Sequence, residues 1–250
     1  MNLSSLPQAH VQIIYLSISP EHDLKDTTSK SGQLWHSALN AIEQSEGYQR
    51  LHWGRSVEYP DNIQLHIVRS SLSAHQPPDT LLQRLQPLLK GGTKPVTRHV
   101  SPMTTFTSTP TTAFNAPVTG SAIYIRTTPA WHEGSWPCWT HIVRHIDGNS
   151  GIAAGPLVEV LTENDVRDGS AGGGMKSDRD AGDLGQCYLV YVGWESIKAH
   201  EDYHHTKHFA DHRVVLGIGN GGFREYGHIK FEGGRWKKEG GDSVGGASKL

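Results

Sequence analysis

Five of the sixteen histidines of this chain lie within thirteen residues, between His200 and His212. The segment follows a strand-like run at 187–192, and its composition predicts a helix. Histidine exchanges a proton near neutral pH at little cost, and it is the commonest metal ligand in proteins. Such a cluster, just beyond the edge of a predicted sheet, therefore indicates either an acid–base site or a metal site.

The spacing of these histidines limits how many can act together. On a continuous helix His200, His204, His208 and His212 recur every four residues, and each step turns about 40° further around the axis. The four rings would form a slanted stripe that cannot all face one pocket. Its centre predicts His204 and His208 as the catalytic acid–base groups, although a hydrogen-bonded structural role is the simpler interpretation for any single histidine.

A zinc site is the sharpest alternative. His200, Glu201 and His204 match H-E-x-x-H, in which two histidines one turn apart bind zinc and the glutamate acts as base. A third ligand is required, and the extended pattern fails because Lys207 stands where it needs glycine. Glu225 has a suitable sequence distance but lies in a predicted strand. We therefore predict no metal ligand and no cofactor, and keep a zinc hydrolase as an alternative.

Charge and composition argue against several classes of partner. Twenty-three Lys and Arg against twenty-five Asp and Glu in 250 residues leave no strong field, so neither nucleic acid nor an anionic membrane is expected. The two cysteines, Cys138 and Cys187, fit a reducing compartment better than a disulfide framework. Residues 1–10 lack the pattern of a secretory signal, and no apolar run reaches the length that spans a bilayer.

The chain ends in Ser248, Lys249 and Leu250, which is the peroxisomal targeting tripeptide. Residues 233–247 are rich in glycine and charge and poor in apolar side chains, which predicts a flexible arm. An import receptor would need such an arm to reach the terminal carboxylate. The sequence therefore predicts a peroxisomal protein, with a cytoplasmic location if the tripeptide is a coincidence.

The same order of predicted elements, βαββαβ, occurs twice along the chain. In the first half the strands are predicted at 11–18, 48–57, 63–68 and 97–106, with helices at 29–42 and 79–89. In the second half they are predicted at 122–126, 157–161, 187–192 and 223–231, with helices at 139–145 and 200–212. A Thr- and Pro-rich linker at 107–119 separates the halves, and a Gly-rich loop at 162–186 is a candidate lid.

Each βαββαβ unit is typical of a ferredoxin-like half, whose antiparallel sheet carries helices on one face only. Two such sheets can bury their free faces against each other. The predicted fold class is therefore α+β, with two ferredoxin-like halves packed sheet to sheet. The predicted boundaries are 1–106 for the first half, 107–119 for the linker, 120–232 for the second half and 233–250 for the tail.

The second half also resembles a known family. The residues that carry the resemblance are Gly193-Trp194-Glu195-Ser196, Ala199-His200, Tyr203-His204, His208-Phe209 and Gly222-Phe223. They are similar to the fungal branch of the dimeric α+β barrel superfamily, which implies that the tandem fused halves form a pseudo-dimeric α+β barrel. That superfamily includes antibiotic-biosynthesis monooxygenases and stress-responsive barrel proteins such as the plant polyketide cyclases. The resemblance implies a small-molecule enzyme, usually without metal or organic cofactor, whose pocket lies between sheet and helices.

The first half departs from this pattern. It has Val68, Arg69 and Ser70 where the second half has Gly-Trp-Glu, and only His75 where the second half has its histidine cluster. The first half is therefore predicted to be mainly structural, and the second half is predicted to carry the chemistry.

Further side chains are assigned to the pocket from their positions in the predicted elements. Trp194 ends a strand and is suited to wall an apolar substrate, although core packing explains it equally well. Tyr226 and His228 share one face of the last strand by period-2 spacing. Arg224 and Lys230 share that face as well, which equally favours a solvated face.

Helical and strand spacing add the remaining candidates. His141 and His145 form an i,i+4 pair on a helix expected to pack beside the histidine segment. Tyr188 and Tyr191 lie on opposite strand faces, so at most one of them lines the pocket. The predicted catalytic residues are thus His204, His208 and Tyr226, and the predicted substrate-binding residues are Trp194, Tyr191, Tyr203, His200, His228, His141 and His145.

These observations predict a cofactor-independent enzyme that binds a small hydrophobic metabolite. An apolar polyketide- or terpenoid-like intermediate would undergo cyclisation, isomerisation or elimination, with His204 or His208 moving a proton and Tyr226 or Tyr203 orienting an oxygen. A cofactor-free monooxygenase of an electron-rich phenol, the zinc hydrolase and a non-catalytic metabolite carrier remain alternatives. Pairing of two such chains into a homodimer stays open.

Overall fold

Eight strands and five α-helices make up two consecutive βαββαβ units in the part of the chain that the structure describes. The structure is a computed structural model, and it describes residues 8–71, 79–91, 93–106, 112–167 and 182–237. The first unit contains β1 (Gln8–Ser17), α1 (Lys30–Glu43), β2 (Tyr48–Ser56), β3 (Asn62–Arg69), α2 (Asp79–Leu85) and β4 (Val96–Phe106). The second contains β5 (Val118–Tyr124), α3 (Trp136–Val143), β6 (Asn149–Pro156), β7 (Tyr188–Trp194), α4 (Ile197–His204), α5 (Lys207–His212) and β8 (Phe223–Trp236).

The eight strands form one closed antiparallel barrel in the order β1-β3-β2-β8-β5-β7-β6-β4. Each unit supplies a four-stranded ferredoxin-like sheet, and the predicted α+β fold class is confirmed. The two sheets face each other and are also hydrogen-bonded along both edges, where β2 pairs with β8 and β4 pairs with β6. Closure leaves neither sheet with an unpaired edge strand.

Apolar side chains fill three layers. The barrel interior is packed by residues from both units, among them Ile13, Val100, Leu189, Tyr191 and Ile229. A second layer lies between the first sheet and α1 and α2, and a third lies between the second sheet and its helices. Strands buried on both faces read as nearly continuous apolar runs, as in β1. Within the described ranges, no helix has the length and apolar character needed to cross a membrane.

The Gly- and Ala-rich strand β6 was not predicted by its sequence. The prediction of a strand at 157–161 is wrong, because β6 runs from Asn149 to Pro156 and, within the predicted range, only Leu157 makes an isolated bridge. Its residues Gly151, Ala153 and Ala154 have little intrinsic strand preference. The strand forms because β7 and β4 pair with it on its two sides.

Two predicted boundaries between segments also differ from the observed ones. Strand β5 begins at Val118, inside the predicted linker, and β8 continues to Trp236, which pairs with Arg50 of β2. Residues 233–236 are therefore strand rather than the start of a flexible arm. Residues 238–250 with the terminal tripeptide, His75 and the glycine triplet at 172–174 lie outside the described residues.

The prediction of one helix across the histidine segment is wrong as well. Helix α4 ends at His204, and α5 begins at Lys207 with its own cap. The hydroxyl of Thr206 accepts a hydrogen bond from the backbone N–H of Phe209 at 3.0 Å, which satisfies a donor that a new helix end leaves free. The two short helices therefore point their histidines in different directions.

Candidate active site

A cavity of about 420 Å³ lies between the second sheet and the helices that cover it. Its size and apolar lining are typical of a small-molecule pocket. Its rings come from β5, α3, β7, α4, α5 and β8, and they include Tyr124, Trp136, Trp139, Trp194, Tyr203, Phe209, Phe223 and Tyr226. Two histidines, His200 and His204, also line it.

Small residues on β5 make room for this cavity. Gly120, Ser121 and Ala122 line it from the sheet side. A Cβ atom placed on Gly120 would lie 2.9 Å from Cε1 of His200, closer than carbon atoms normally approach. The absent side chain of Gly120 is therefore what lets the His200 ring approach β5 so closely.

A π-helical turn from Trp131 to Ser135 precedes α3 and shapes the aromatic wall. Such a turn brings residues five apart onto nearly one face. Trp131 and Trp136 are consequently both buried, with ring centroids 5.7 Å apart. Trp136 reaches the cavity, and Trp131 supports it from behind, against Tyr124.

His200 is the inner end of a hydrogen-bonded chain of three side chains, with His228 in the middle and Glu58 at the outer end. Its Nδ1 lies 2.9 Å from Nε2 of His228, and Nδ1 of His228 lies 2.6 Å from Oε1 of Glu58. The other carboxylate oxygen of Glu58 accepts the backbone N–H of His228 at 2.9 Å. His200 is also stacked on Trp194, with ring centroids 4.7 Å apart.

These partners assign the tautomers of both histidines. The carboxylate of Glu58 only accepts, so Nδ1 of His228 carries a proton and its Nε2 accepts. Nδ1 of His200 must then donate to His228. The lone pair of His200 is left on Nε2, and His200 is one of the residues that line the cavity.

Burial keeps His200 neutral. Together with the neighbouring His204 and His228, burial lowers the pKa of His200 to about 3. Burial also lowers the pKa of His204, with smaller effects from nearby charged groups. For Glu58, burial acts to raise the pKa, but the hydrogen bonds from His228 outweigh it and the pKa lies below its ordinary value. At neutral pH the chain therefore begins at a charged carboxylate, that of Glu58, and ends at a neutral imidazole, that of His200.

Two tyrosines at the cavity remain protonated. Burial raises the pKa of Tyr203 to about 12, and burial together with the charges of Glu58 and Glu201 raises the pKa of Tyr226 to about 12. Both hydroxyls can consequently donate to an oxygen atom of a ligand. Tyr203 also has its hydroxyl 3.2 Å from Nδ1 of His208.

Five predicted site residues line the cavity together: Trp194, His200, Tyr203, His204 and Tyr226. His208, predicted to be catalytic, is exposed and only reaches the Tyr203 hydroxyl. The reason is the helix break after His204, which ends the four-residue spacing on which that prediction depended. His228 does not line the cavity either, but it lies directly behind His200.

Three further predicted residues lie elsewhere. His141 and His145 are exposed and hydrogen-bond to Arg144, because α3 turns Trp139 and Val143 towards the sheet and the histidines away from it. Tyr191 lies inside the barrel, where its hydroxyl donates to Oε1 of Gln64 at 3.0 Å. Tyr188, on the opposite strand face, packs among the tryptophans.

A bulge in β8 corrects the period-2 interpretation of that strand. Ser121 pairs with Gly227 and Ile123 with Arg224, so an extra residue lies between them, and Glu225 has a φ of 50°. Phe223 rather than Arg224 therefore joins Tyr226 at the cavity. Glu225 is turned to Arg98 instead, with the carboxylate 2.6 and 2.9 Å from the guanidinium nitrogens.

This position of Glu225 removes the third ligand of the zinc alternative. The carboxylate is buried and bound by both Arg98 and Arg167, so it cannot join His200 and His204. Among the described residues, no group of three or more His, Cys, Asp or Glu is arranged to hold a metal ion.

Sequence reasoning missed Glu58, Gly120 and Trp136. Glu58 lies 170 residues before its partner His228, and nothing near it in the sequence indicates that contact. The cluster of tryptophans at 131–139 was a usable signal for an aromatic wall, since three indoles in nine residues are unusual on a surface helix.

No protein-family model and no curated sequence matches the chain. Solved structures are similar along nearly its whole length. An anthrone oxidase-like protein has a TM-score of 0.59 at 12% identity, with 93% of this chain and 94% of that chain covered. A candidate monooxygenase from Lactobacillus acidophilus has a TM-score of 0.52 at 11% identity, with 92% and 97% covered. A candidate chlorite dismutase reaches 0.50 at 10% identity, with 91% and 96% covered.

At these identities the similarity concerns the fold. The chain has the fold of the dimeric α+β barrels, with both units present in one polypeptide.

Proposed function

We propose that this protein is a cofactor-independent enzyme that removes a proton from an apolar metabolite bound in the cavity of the second unit. The observation that carries the proposal is His200. It is a buried neutral imidazole with Nδ1 held by a histidine–carboxylate pair, and its Nε2 remains available beside an aromatic cavity. Because it is neutral, this imidazole is free to accept a proton from an acidic C–H or phenolic O–H group.

The surrounding residues support each part of such a reaction. The walls formed by Trp136, Trp139 and Trp194 favour a flat, apolar, polyketide- or terpenoid-like molecule. The protonated hydroxyl of Tyr226 is suited to donate to the oxygen on which negative charge develops. Return of the proton to another atom of the substrate completes an isomerisation or a cyclisation, and loss of a leaving group completes an elimination.

His200 replaces His204 and His208 as the proposed base. His204 lines the cavity beside His200 with ring centroids 4.6 Å apart, where it also packs on Phe209. His200 is preferred as the base because the Glu58–His228 pair orients its ring.

Cofactor-free oxygenation of an electron-rich phenol is the second candidate. It is favoured by the similarity to an anthrone oxidase-like protein and to a candidate monooxygenase. The first step would be the same, because the carbanion left after proton removal can react with dioxygen. For an anthrone, one O₂ is consumed and the products are the anthraquinone and one H₂O.

Anthrone itself is the probe that separates these candidates. We expect the purified protein to accelerate its conversion to the enol form, followed by ultraviolet absorbance under nitrogen. Oxygen uptake with formation of anthraquinone in air would select the oxygenase instead. Binding without either reaction would contradict the proposal and leave the carrier.

The matched variants are His200→Ala and His145→Ala. Loss of His200 should lower turnover by about 10²- to 10⁴-fold, the usual contribution of a general base. Loss of the exposed His145 should leave it unchanged. Equal turnover in both variants would remove His200 from the mechanism.

A further inference from the structure

We propose that Glu58, in the turn between β2 and β3 of the first unit, is the positioning residue for the base in the second unit. Acting through His228, Glu58 determines which ring nitrogen of His200 carries the proton and which one is left free to act as the base. This inference rests on the proposed role of His200. If it holds, the site needs both units, because without Glu58 of the first unit the proton of His200 would lie on Nε2, where the base must be free.

The pairing of β2 with β8, which joins the two sheets along one edge, places this turn directly against His228. Ser56 pairs with Ile229, and the backbone N–H of Val57 donates to the carbonyl of His228 at 2.9 Å. The carboxylate of Glu58 binds the backbone N–H and the ring of that same residue. Gly227 leaves space for it, because a Cβ atom there would lie 3.3 Å from Oε2 of Glu58.

Partial burial acts to raise the pKa of Glu58, but the hydrogen bonds from His228 outweigh it, so the carboxylate keeps its charge at this position. Its side chain is 36% exposed, whereas that of His228 is 6% exposed. It borders a small polar recess of about 30 Å³ that also touches His228 and shares Ser121 and Tyr226 with the cavity. The charged groups facing this recess are Glu58 and the mutually paired Arg167 and Glu225. The negative charge is therefore at the surface, and the neutral base is in the apolar layer.

The chain also stabilises the proton once it has been taken up. The C–H bond of the substrate breaks, its electron pair stays on the substrate, and an N–H bond forms at Nε2 of His200. The proton on Nδ1 of His200 can then move to Nε2 of His228. His200 is again neutral, in the opposite tautomer, and the positive charge lies on His228 beside the carboxylate of Glu58. The reverse sequence returns the proton.

Replacing Glu58 by glutamine tests this geometry without any substrate. An amide has only one accepting oxygen, and the backbone N–H of His228 is an obligatory donor that occupies it. The NH₂ group must then face Nδ1 of His228, which becomes the acceptor. Nε2 of His228 becomes the donor, so that His200 accepts at Nδ1 and carries its proton at Nε2.

The measurement is ¹⁵N NMR of the full chain labelled at histidine. In the wild type we expect His200 protonated at Nδ1 and unprotonated at Nε2 near neutral pH. In Glu58→Gln we expect the two nitrogens to exchange states, while Glu46→Gln, an exposed glutamate of the same unit, leaves them as in the wild type. A wild-type His200 protonated at Nε2 would overturn the proposal even if Glu58→Gln failed to fold. An unchanged tautomer in folded Glu58→Gln would also overturn it.

Turnover of anthrone by the same variants is the second, independent measurement. With anthrone, Glu58→Gln should lower kcat by about 10²-fold with little change in KM, because the pocket walls are untouched. Glu58→Asp, which keeps both accepting oxygens, should recover part of that loss. An exchange of tautomers in a protein that does not act on anthrone would support the role of Glu58 in positioning His200 and contradict the proposed function.

Discussion

The layer between sheet and helices is built from the same order of elements in both units. In the first unit side chains fill this layer, and in the second unit it contains the cavity. In the first unit Trp53 of β2 lies opposite Leu65 of β3, and the ring of Trp35 from α1 is 5.2 Å from that of Trp53. At the matching pair of the second unit, Ala154 of β6 lies opposite Val190 of β7. An indole occupies this position in the first unit and a methyl group occupies it in the second, where the paired Val190 lines the cavity.

This difference shows what distinguishes the two copies of one scaffold. Both sheets close the same barrel, so the backbone does not decide which unit has the cavity. Side-chain volume decides it, because protein interiors are close-packed and a removed ring leaves a void unless the neighbours collapse. The first unit is nevertheless more than a support, since Glu58 reaches the site of the second unit.

The largest difference between the two layers should appear when a tryptophan is truncated in each. Trp53→Ala should lower the free energy of unfolding by about 3–5 kcal/mol, because a fully packed indole is lost. Trp139→Ala should cost less than about 3 kcal/mol, because one side of that ring already borders the cavity. Urea unfolding of both variants provides the measurement, and equal losses would mean that the second layer is packed as tightly as the first.

The pH dependence of stability should sharpen the comparison by a smaller amount. The pKa of His200 is about 3 in the folded chain and that of His52, on β2 of the first unit, is about 4, against about 6.5 when unfolded. The unfolded chain therefore binds more protons, and stability is lost as pH falls below about 6.5.

Replacing either histidine by glutamine should reduce that loss. Each substitution should remove at most about 1.4 kcal/mol per pH unit from the slope of the unfolding free energy. Urea titrations between about pH 6.5 and 5 measure it. A slope that stays the same in both variants would show that these rings are already accessible to water when folded.

The smallest expected effect comes from Gly120 and its counterpart. Gly120 lies opposite Val192 in the second unit as Gln12 lies opposite Ile67 in the first. Gly120→Ala should push His200 off His228 and lower turnover by about 10-fold. Gln12→Ala should leave turnover as it is. If Gly120→Ala retains full activity, the His200 ring does not need its position against the sheet.

Much of the fold was readable from the sequence because the relevant signals are local. The alternating and continuous apolar runs of β1, β3 and β7 predicted strands, and the helical spacing in α1 predicted its buried face. β6 was missed because Gly151, Ala153 and Ala154 carry no periodic signal, and pairing on both sides supplies their conformation.

The site was predicted in part for the same reason. Trp194, His200 and Tyr203 belong to one strand–helix connection, so their common location follows from neighbouring residues. His208 was misplaced because the Thr206 cap interrupts the helix, and Tyr191 was misplaced because strand periodicity does not tell which face of a doubly buried strand meets the cavity.

The sequence by itself determined two βαββαβ units, the sheet-and-helix layer in which the chemistry is expected, and the residue types that line it. These depend on interactions between residues a few positions apart. Only the tertiary structure decided that His200 is the histidine with an oriented lone pair, because Glu58 and His228 meet across a barrel seam that joins residues 170 positions apart. Tertiary packing likewise decided which unit is hollow, since the volume of a layer is the sum of side chains contributed by separate strands.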